Sequence, residues 1–413
     1  MTYDHTDILI IGAGAAGLMA GIWAGRTNPD RRIVILDGAK KLGAKILVAG
    51  GGRCNVTHDV VTAEAFAGSS RHAIGKVLRR FDVPQTVQFF RDLGVELKRE
   101  ETGKLFPVTD SARTVLYALL DAAASHNVTI LHPRRVETVQ KSDQGFTVAG
   151  AWGQMTATHL VIATGGQSLP KSGSDGHGYR LAQSLGHSLT PRLLPALVPL
   201  TLPTGHFIGD LSGVTVPATL ELWSGTEKKL LAFTGSLLCT HFGLSGPVVL
   251  DMSRYFLDAQ MDDAAAKLTL NWLPDFTSEE FERLLLNLGA TSLLKQLREL
   301  LPERLVRQLC EQAGVEAGMS GGQLTRPQRK TLVTTFTRLP LPITGNRGFT
   351  VAEVTAGGIP LAELNLKTMA SRLCPGLYVC GEICDVDGRI GGYNFQWAWA
   401  TGYTVGVSVG LPK

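Results

Sequence analysis

At 413 residues, with 44% hydrophobic and 18% charged residues, the chain is long and apolar enough for two or three domains with sizeable cores, which excludes a disordered polypeptide. The net charge of +4 permits an acidic partner without demanding one. No leader with a cleavage site precedes the first apolar run, and no run approaches the ~18 residues of a membrane span, so a soluble cytoplasmic protein without membrane contact is expected.

The chain opens with DILIIGAGAAGLMA. Residues 8–11 are a short apolar run, as in a strand buried on both faces. Gly12, Gly14 and Gly17 follow at the spacing G-x-G-x-x-G, and Ala15 and Ala16 begin a run of good helix formers. This predicts the strand, tight turn and helix of a dinucleotide site, with free N–H groups at the helix start facing phosphate. The motif alone is weak, so context matters. A second predicted strand over 33–36 ends at Asp37, 20 residues beyond Gly17, where a carboxylate can accept a hydrogen bond from an adenosine ribose.

Lys40, Lys41 and Lys45 then bring positive charge near the expected phosphates. Gly50, Gly51 and Gly52 predict a second bend where backbone can approach a ligand, followed by Arg53, Cys54 and Asn55. Residues 71–98 read as helical, with Arg71, Lys76, Arg79, Arg80 and Arg91 on a solvated face. Asp110 or Ser111 is expected to cap a helix through Val115, Leu116, Leu119 and Leu120. Strands are expected at 129–131 and 136–139, with a hairpin over 146–158. The apolar run 160–163 ends in A-T-G-G, again a strand end suited to a ligand.

Prolines at 191, 195, 199 and 203 introduce short alternating segments, and 190–275 is read as β-rich. Over 277–335 leucines recur at helical spacing. From Lys295 to Arg338 the bases Lys295, Arg298, Arg304, Arg307, Arg326, Arg329, Lys330 and Arg338 outnumber the acids Glu299, Glu303, Glu311 and Glu316, either as a solvated face or as a surface that contacts RNA. The chain then returns to its first texture. Residues 376–382, GLYVCGE, read as a strand running into Gly381 and Glu382. Gly391 and Gly392 open an apolar helix over 395–405, a second helix start directed at a ligand. Asp385 and Asp387 either accept bonds from a polyol or cap the turn.

Three glycine-bearing strand ends exceed what a simple NAD dehydrogenase needs and suit the longer cofactor FAD. The elements resemble a glutathione-reductase-type FAD domain. The strings KILVAGGGRCN, GKLFPVTDSA, ATGGQSLP, PALVPL, THFGLSGP, EVTAGGI and CGEICDVDGRIGGYNFQWAWATGY closely resemble the BaiN/RdsA family of NAD(P)/FAD-dependent oxidoreductases across nearly the whole chain, with NRGFTVAEVTAGG like its shorter, less characterised branch. The resemblance implies an α/β architecture: a Rossmann-type FAD-binding domain from residues 1–188 and 345–413, an inserted β-barrel-like domain from 189–276 and 336–344, and a small helical domain over 277–335. It also implies that Gly12, Gly14, Gly17, Asp37, Gly51, Gly52, Arg53, Cys54, Asn55, Val136, Ala163, Thr164, Gly165, Glu382, Asp387, Gly391, Gly392, Tyr393 and Asn394 surround FAD. The family's activities are reductions, linked either to bile-acid dehydroxylation or to dihydrouridine formation in large-subunit ribosomal RNA.

The remaining cysteines, Cys239, Cys310, Cys374, Cys380 and Cys384, form no C-x-x-C and no zinc pattern, so no metal is expected. Cys54 lacks the nearby second cysteine of glutathione-reductase relatives, which argues against a local redox disulfide. No second G-x-G-x-x-G follows a strand, so NAD(P)H would dock transiently as hydride donor. The expected chemistry is flavin hydride transfer to an electron-poor carbon–carbon double bond, with Cys54 and Tyr393 as candidate proton donors or else packing residues. His241 is read as a structural histidine rather than an acid. Arg53 and Arg389 either clamp an anion or pair with carboxylates. The substrate is a small molecule, or alternatively ribosomal RNA. A third reading is a flavin redox sensor or scaffold without catalysis. Oligomeric state is not legible.

Overall fold

The computed structural model describes residues 5–411, which form two units: one from the chain's two ends, residues up to 195 and from 353, and one from 196–352. In the first, β1 (His5–Ile11) leads through α1 (Ala15–Thr27) to β2 (Ile33–Leu36). Further on come β3 (Val128–Leu131), β4 (Gly153–Ile162), β5 (Leu377–Val379) and the helix α2 (Tyr393–Gly410). The parallel order is β3-β2-β1-β4-β5, with Leu9 opposite Val34 on one side and Leu160 on the other. The chain winds outward in both directions from β1, so a crevice opens between the carboxyl ends of β1 and β4, the place where open α/β sheets bind ligands. Ile8, Leu9, Ile10, Val34 and Ile35 are wholly buried, as expected of strands covered on both faces.

Helices α1 and α2 tie the two ends of the chain together. Gly402, Gly406 and Gly410 are four residues apart on one face of α2. A Cβ at these positions would stand 2.5 Å from the Ala16 carbonyl oxygen, 2.6 Å from that of Ala20 and 2.9 Å from Thr27 Cβ. The stripe of missing side chains lets the helices pack backbone to backbone. Trp397 Nε1 then donates to the Gly381 carbonyl at 3.1 Å, and Trp399 Nε1 to that of Val56 at 2.8 Å. One helix thus positions both the end of β5 and the segment after the triple glycine.

Several expectations are corrected in detail. Residues 71–98 are not one helix: Arg71–Leu78 and Val83–Asp92 are separate, because Asp82 and Gln85 form a capping box that starts the second, and Leu97–Arg99 is a strand. Ser111 occupies the cap position of Ala112–Ser125 without a side-chain bond, while Asp110 sits at φ +51° with its carboxylate on Lys98. The triple glycine is indeed a bend, but it closes a helix over Ala44–Gly52 that is broken where Ala49 turns extended and Gly50 and Gly51 take positive φ.

In the second unit, seven strands run antiparallel in one path from Leu339–Leu341 to Gly345–Asn346. In a flat sheet those two edges would lie roughly 29 Å apart, whereas the short connection between them spans at most about 15 Å. The sheet must therefore curl back on itself. Within the segment read as β-rich lies the helix Pro247–Asp262, which buries Val248, Val249, Met252 and Phe256 against the sheet. The helices Ser278–Leu286, Leu293–Leu297, Glu303–Gln312 and Arg326–Thr337 share that same hydrophobic core. Among the described residues no helix is long and apolar enough to cross a membrane.

Candidate functional site

The first turn is built by two glycines. Gly12 adopts φ +106°, and a Cβ there would lie 2.5 Å from the Ala163 carbonyl oxygen; one at Gly17 would lie 1.9 Å from that of Gly12. Both are therefore obligatory for β1, β4 and α1 to meet. At Gly14, by contrast, a Cβ meets nothing within 4 Å. Its open face at the start of α1 is the approach a pyrophosphate needs.

Asp37 ends β2 beside this turn. Its carboxylate accepts from the Ala13 and Ala39 N–H groups, each at 2.7 Å, and lone pairs remain for ribose hydroxyls. The Arg134 N–H donates to the Asp37 carbonyl at 2.6 Å, which brings the segment carrying the buried Val136 to the same strand end. Glu382, after β5, is paired with Lys45 at 2.5 Å, and its second oxygen accepts from the Thr355 N–H at 3.1 Å. Thr355 Oγ1 in turn accepts from the Gln167 and Ser168 N–H groups, so Glu382 is braced against the loop after β4. Thr355, Gln167 and Ser168 were not singled out from the sequence; a lone threonine between strands carries no pattern that would mark it.

The glycine bend meets the start of α2. Asn55, with its amide oriented to satisfy both neighbours, donates to the Thr57 carbonyl at 2.9 Å and accepts from the Gly392 N–H at 3.1 Å. Asn394 bonds the Gly388 N–H and carbonyl at 2.8 Å each, so it holds the turn before the helix. Asp387 is buried in a short strand opposite Ala67. The Tyr393 ring stacks on His58, centroids 4.9 Å apart at 20°. Gly12, Asp37, Ala163, Glu382 and Lys45 thus gather at the sheet's carboxyl edge, and Asn55, Gly392 and Tyr393 at the start of α2.

For two candidates the structure favours the packing or pairing option. Cys54 is wholly buried at φ +62°, and burial pushes its thiol up to about 12. Arg53 takes the carboxylate-pairing option: Nη1 meets Glu100 at 2.6 Å and Asp110 at 3.6 Å, with the guanidinium 4.0 Å from the Phe106 ring. His241 is exposed and makes an edge contact with Phe242. All six cysteines are free thiols.

The residues fit a polar ligand on a second ground. Thr164 Oγ1, Ser174 Oγ and Tyr179 Oη, at and beyond the end of β4, are buried without a hydrogen-bond partner. Orphaned buried hydroxyls cost about 1–3 kcal/mol each, which a bound polar group would relieve.

A family model described as "HI0933-like protein Rossmann domain" matches residues 6–408. This chain belongs to the HI0933-like (BaiN/RdsA) family of FAD-dependent oxidoreductases. It is 37% identical over 403 residues, 97% of each chain, to the ribosomal RNA dihydrouridine synthase of Escherichia coli K12. It is 33% identical over 401 residues, 96% of this chain and 97% of the other, to the 3-dehydro-bile acid delta(4,6)-reductase of Clostridium scindens. Among solved structures, the FrdA chain of Escherichia coli quinol fumarate reductase superposes with a TM-score of 0.53 at 16% identity, covering 99% of this chain and 70% of that one, a likeness of fold alone. The family's fold is therefore the α/β Rossmann FAD-binding fold with an antiparallel insert sheet.

Proposed function

We propose that this family member is an NAD(P)H-driven reductase of a carbon–carbon double bond conjugated to a carbonyl. The observation that carries the reading is the convergence of Gly12, Asp37, Ala163 and Glu382 at the crevice between β1 and β4, with no dithiol near Cys54 among the described residues. The N–H groups at the start of α1 would hold the pyrophosphate, Asp37 the adenosine ribose, and the Lys45–Glu382 pair the polyol chain. FAD bound there supplies hydride transfer without further redox groups from the protein. Dihydrouridine formation and a delta(4,6) reduction of a 3-dehydro compound, the reactions named for the two relatives, both add hydrogen across a double bond conjugated to a carbonyl.

The protein must also deliver a proton. Tyr393 is the group we assign, since its ring is held in the first turn of α2 by the His58 stack, whereas the Cys54 thiol is sealed in the core. Ribosomal RNA is the second reading, supported by the 37% identical relative. The basic helical segment lends it little. Arg307 pairs with Glu303, Arg298 with Glu299, Arg338 with Glu227, Arg329 and Lys330 with Glu282, and Arg304 with the Asp210 carbonyl, leaving Lys295 and Arg326 without ion pairs among the described residues.

The test is anaerobic. Purified protein should be yellow, and NADH or NADPH should bleach it. A colourless chain that FAD cannot reconstitute overturns the cofactor assignment, and a yellow chain bleached by neither donor overturns the nicotinamide step. Tyr393→Phe should bleach normally yet turn over conjugated substrate at least about ten-fold more slowly. RNA binding that weakens steeply between low and moderate salt would favour the second reading.

A further inference from the structure

Strand Lys104–Pro107 lies between Thr57–His58 and Leu97–Arg99. The other bases here are neutralised: Arg53 by Glu100, Lys98 by Asp110 and Arg99 by Asp59. Lys104 differs. Among the described residues its ammonium makes no ion pair and no hydrogen bond, although the side chain is only half-exposed. A Cβ built on Gly391 would lie 3.6 Å from Lys104 Cε, 3.6 Å from His58 Cδ2 and 3.5 Å from Tyr393 Cε2. Three side chains therefore close around the backbone that leads into α2. His58 is fixed in turn, Nε2 3.0 Å from the Thr102 carbonyl and Nδ1 2.8 Å from Asp59, whose other oxygen is taken by Arg99. Both oxygens of Asp59 are thus taken, one by His58 and one by Arg99, and among the described residues Lys104 stands without a carboxylate partner beside an oriented phenol.

We propose that Lys104 forms an oxyanion subsite that binds the carbonyl oxygen of the conjugated substrate. The assignment rests on the reductase reading above. Hydride adds to the carbon remote from the carbonyl. The double-bond pair then moves toward the carbonyl carbon, and the carbonyl pair passes to oxygen as an enolate. The carbon next to the carbonyl takes a proton from Tyr393, which regains one from solvent, and the carbonyl re-forms. The two electrons come from the nicotinamide donor, and the net change is two hydrogens added. Negative charge develops on the oxygen, so a preorganised cation there favours the transition state over the ground state.

The test uses 4-nitrophenolate, whose oxyanion is conjugated like an enolate and whose absorbance reports its ionisation. Wild-type protein, with or without FAD, should bind the phenolate in preference to the neutral phenol and lower the bound probe's apparent pKa by about one unit. Lys104→Met should weaken phenolate binding by about ten-fold or more and abolish that shift, and Lys104→Arg should retain both. Lys98→Met, which removes a neutralised lysine from the same small sheet, should behave as wild type. Equal binding by wild type and Lys104→Met overturns the subsite, as does equal loss in Lys98→Met or no binding by the wild type. Phenolate binding through Lys104 in a protein that neither NADH nor NADPH bleaches would overturn the reductase reading and leave the anion subsite standing.

Discussion

Adding one methyl group at Gly14 or at Gly17 should have opposite consequences, although both glycines belong to one motif. At Gly17 the new Cβ would stand 1.9 Å from the Gly12 carbonyl oxygen, against about 3.4 Å for ordinary contact, so α1 must retreat from β1 by more than an ångström. Overpacking of backbone by that much costs at least about 3 kcal/mol. In a unit of about 250 residues this lowers Tm by roughly 6–12 °C. At Gly14, φ is −80° and the space is open, so alanine fits. Loss of a good N-cap residue and the gain from a stiffer unfolded chain are each under about 1 kcal/mol and oppose one another, leaving Tm within about 2 °C of wild type. The methyl would nevertheless stand in the open space through which we propose that the pyrophosphate approaches. Losing one or two charge-assisted bonds, about 1.5–3 kcal/mol, predicts a Kd for FAD raised roughly 10- to 100-fold. Thermal unfolding of the apoprotein and quenching of FAD fluorescence measure the two effects separately. Gly14→Ala that binds FAD as tightly as wild type would refute the assigned approach.

Asp37→Asn leaves one acceptor oxygen for the two N–H groups of Ala13 and Ala39, so FAD binding should weaken about ten-fold and the fold lose about 1–2 kcal/mol, both measurable in the same titration and melt. Cys54→Ala should keep turnover within about two-fold and cost about 1 kcal/mol, because the thiol is buried; a folded variant that has lost its activity would return Cys54 to the chemistry. Burial alone would raise the Glu363 carboxyl, but bonds from Ser188 and His187 outweigh it and hold the group below the usual carboxylate range. That stabilisation is present above the unfolded value of about 4.3 and is lost as pH falls through the lower folded value. Glu363→Gln should therefore flatten the acid limb of Tm against pH, and an unchanged limb would reject the linkage.

The G-x-G-x-x-G turn, the carboxylate that ends the second strand at Asp37 and the glycine-marked strand ends at 163–166 and 381–382 were legible from residues 8–37, 160–166 and 376–382, since each depends on local backbone geometry and a short period. Helix and strand type were legible for the same reason, except where a local signal was faint. Asp82 and Gln85 restart a helix inside an apolar pattern that never breaks, and the helix Pro247–Asp262 sits among strands. What only the tertiary structure decided is which charges are already answered. Arg53, Lys98 and Lys104 look alike in sequence, yet Glu100 and Asp110 neutralise the first two and nothing among the described residues neutralises the third. Burial likewise separates Cys54, wholly enclosed, from the partly exposed Tyr393. Neither distinction has a sequence period, because each depends on which separate segments of the chain come into contact.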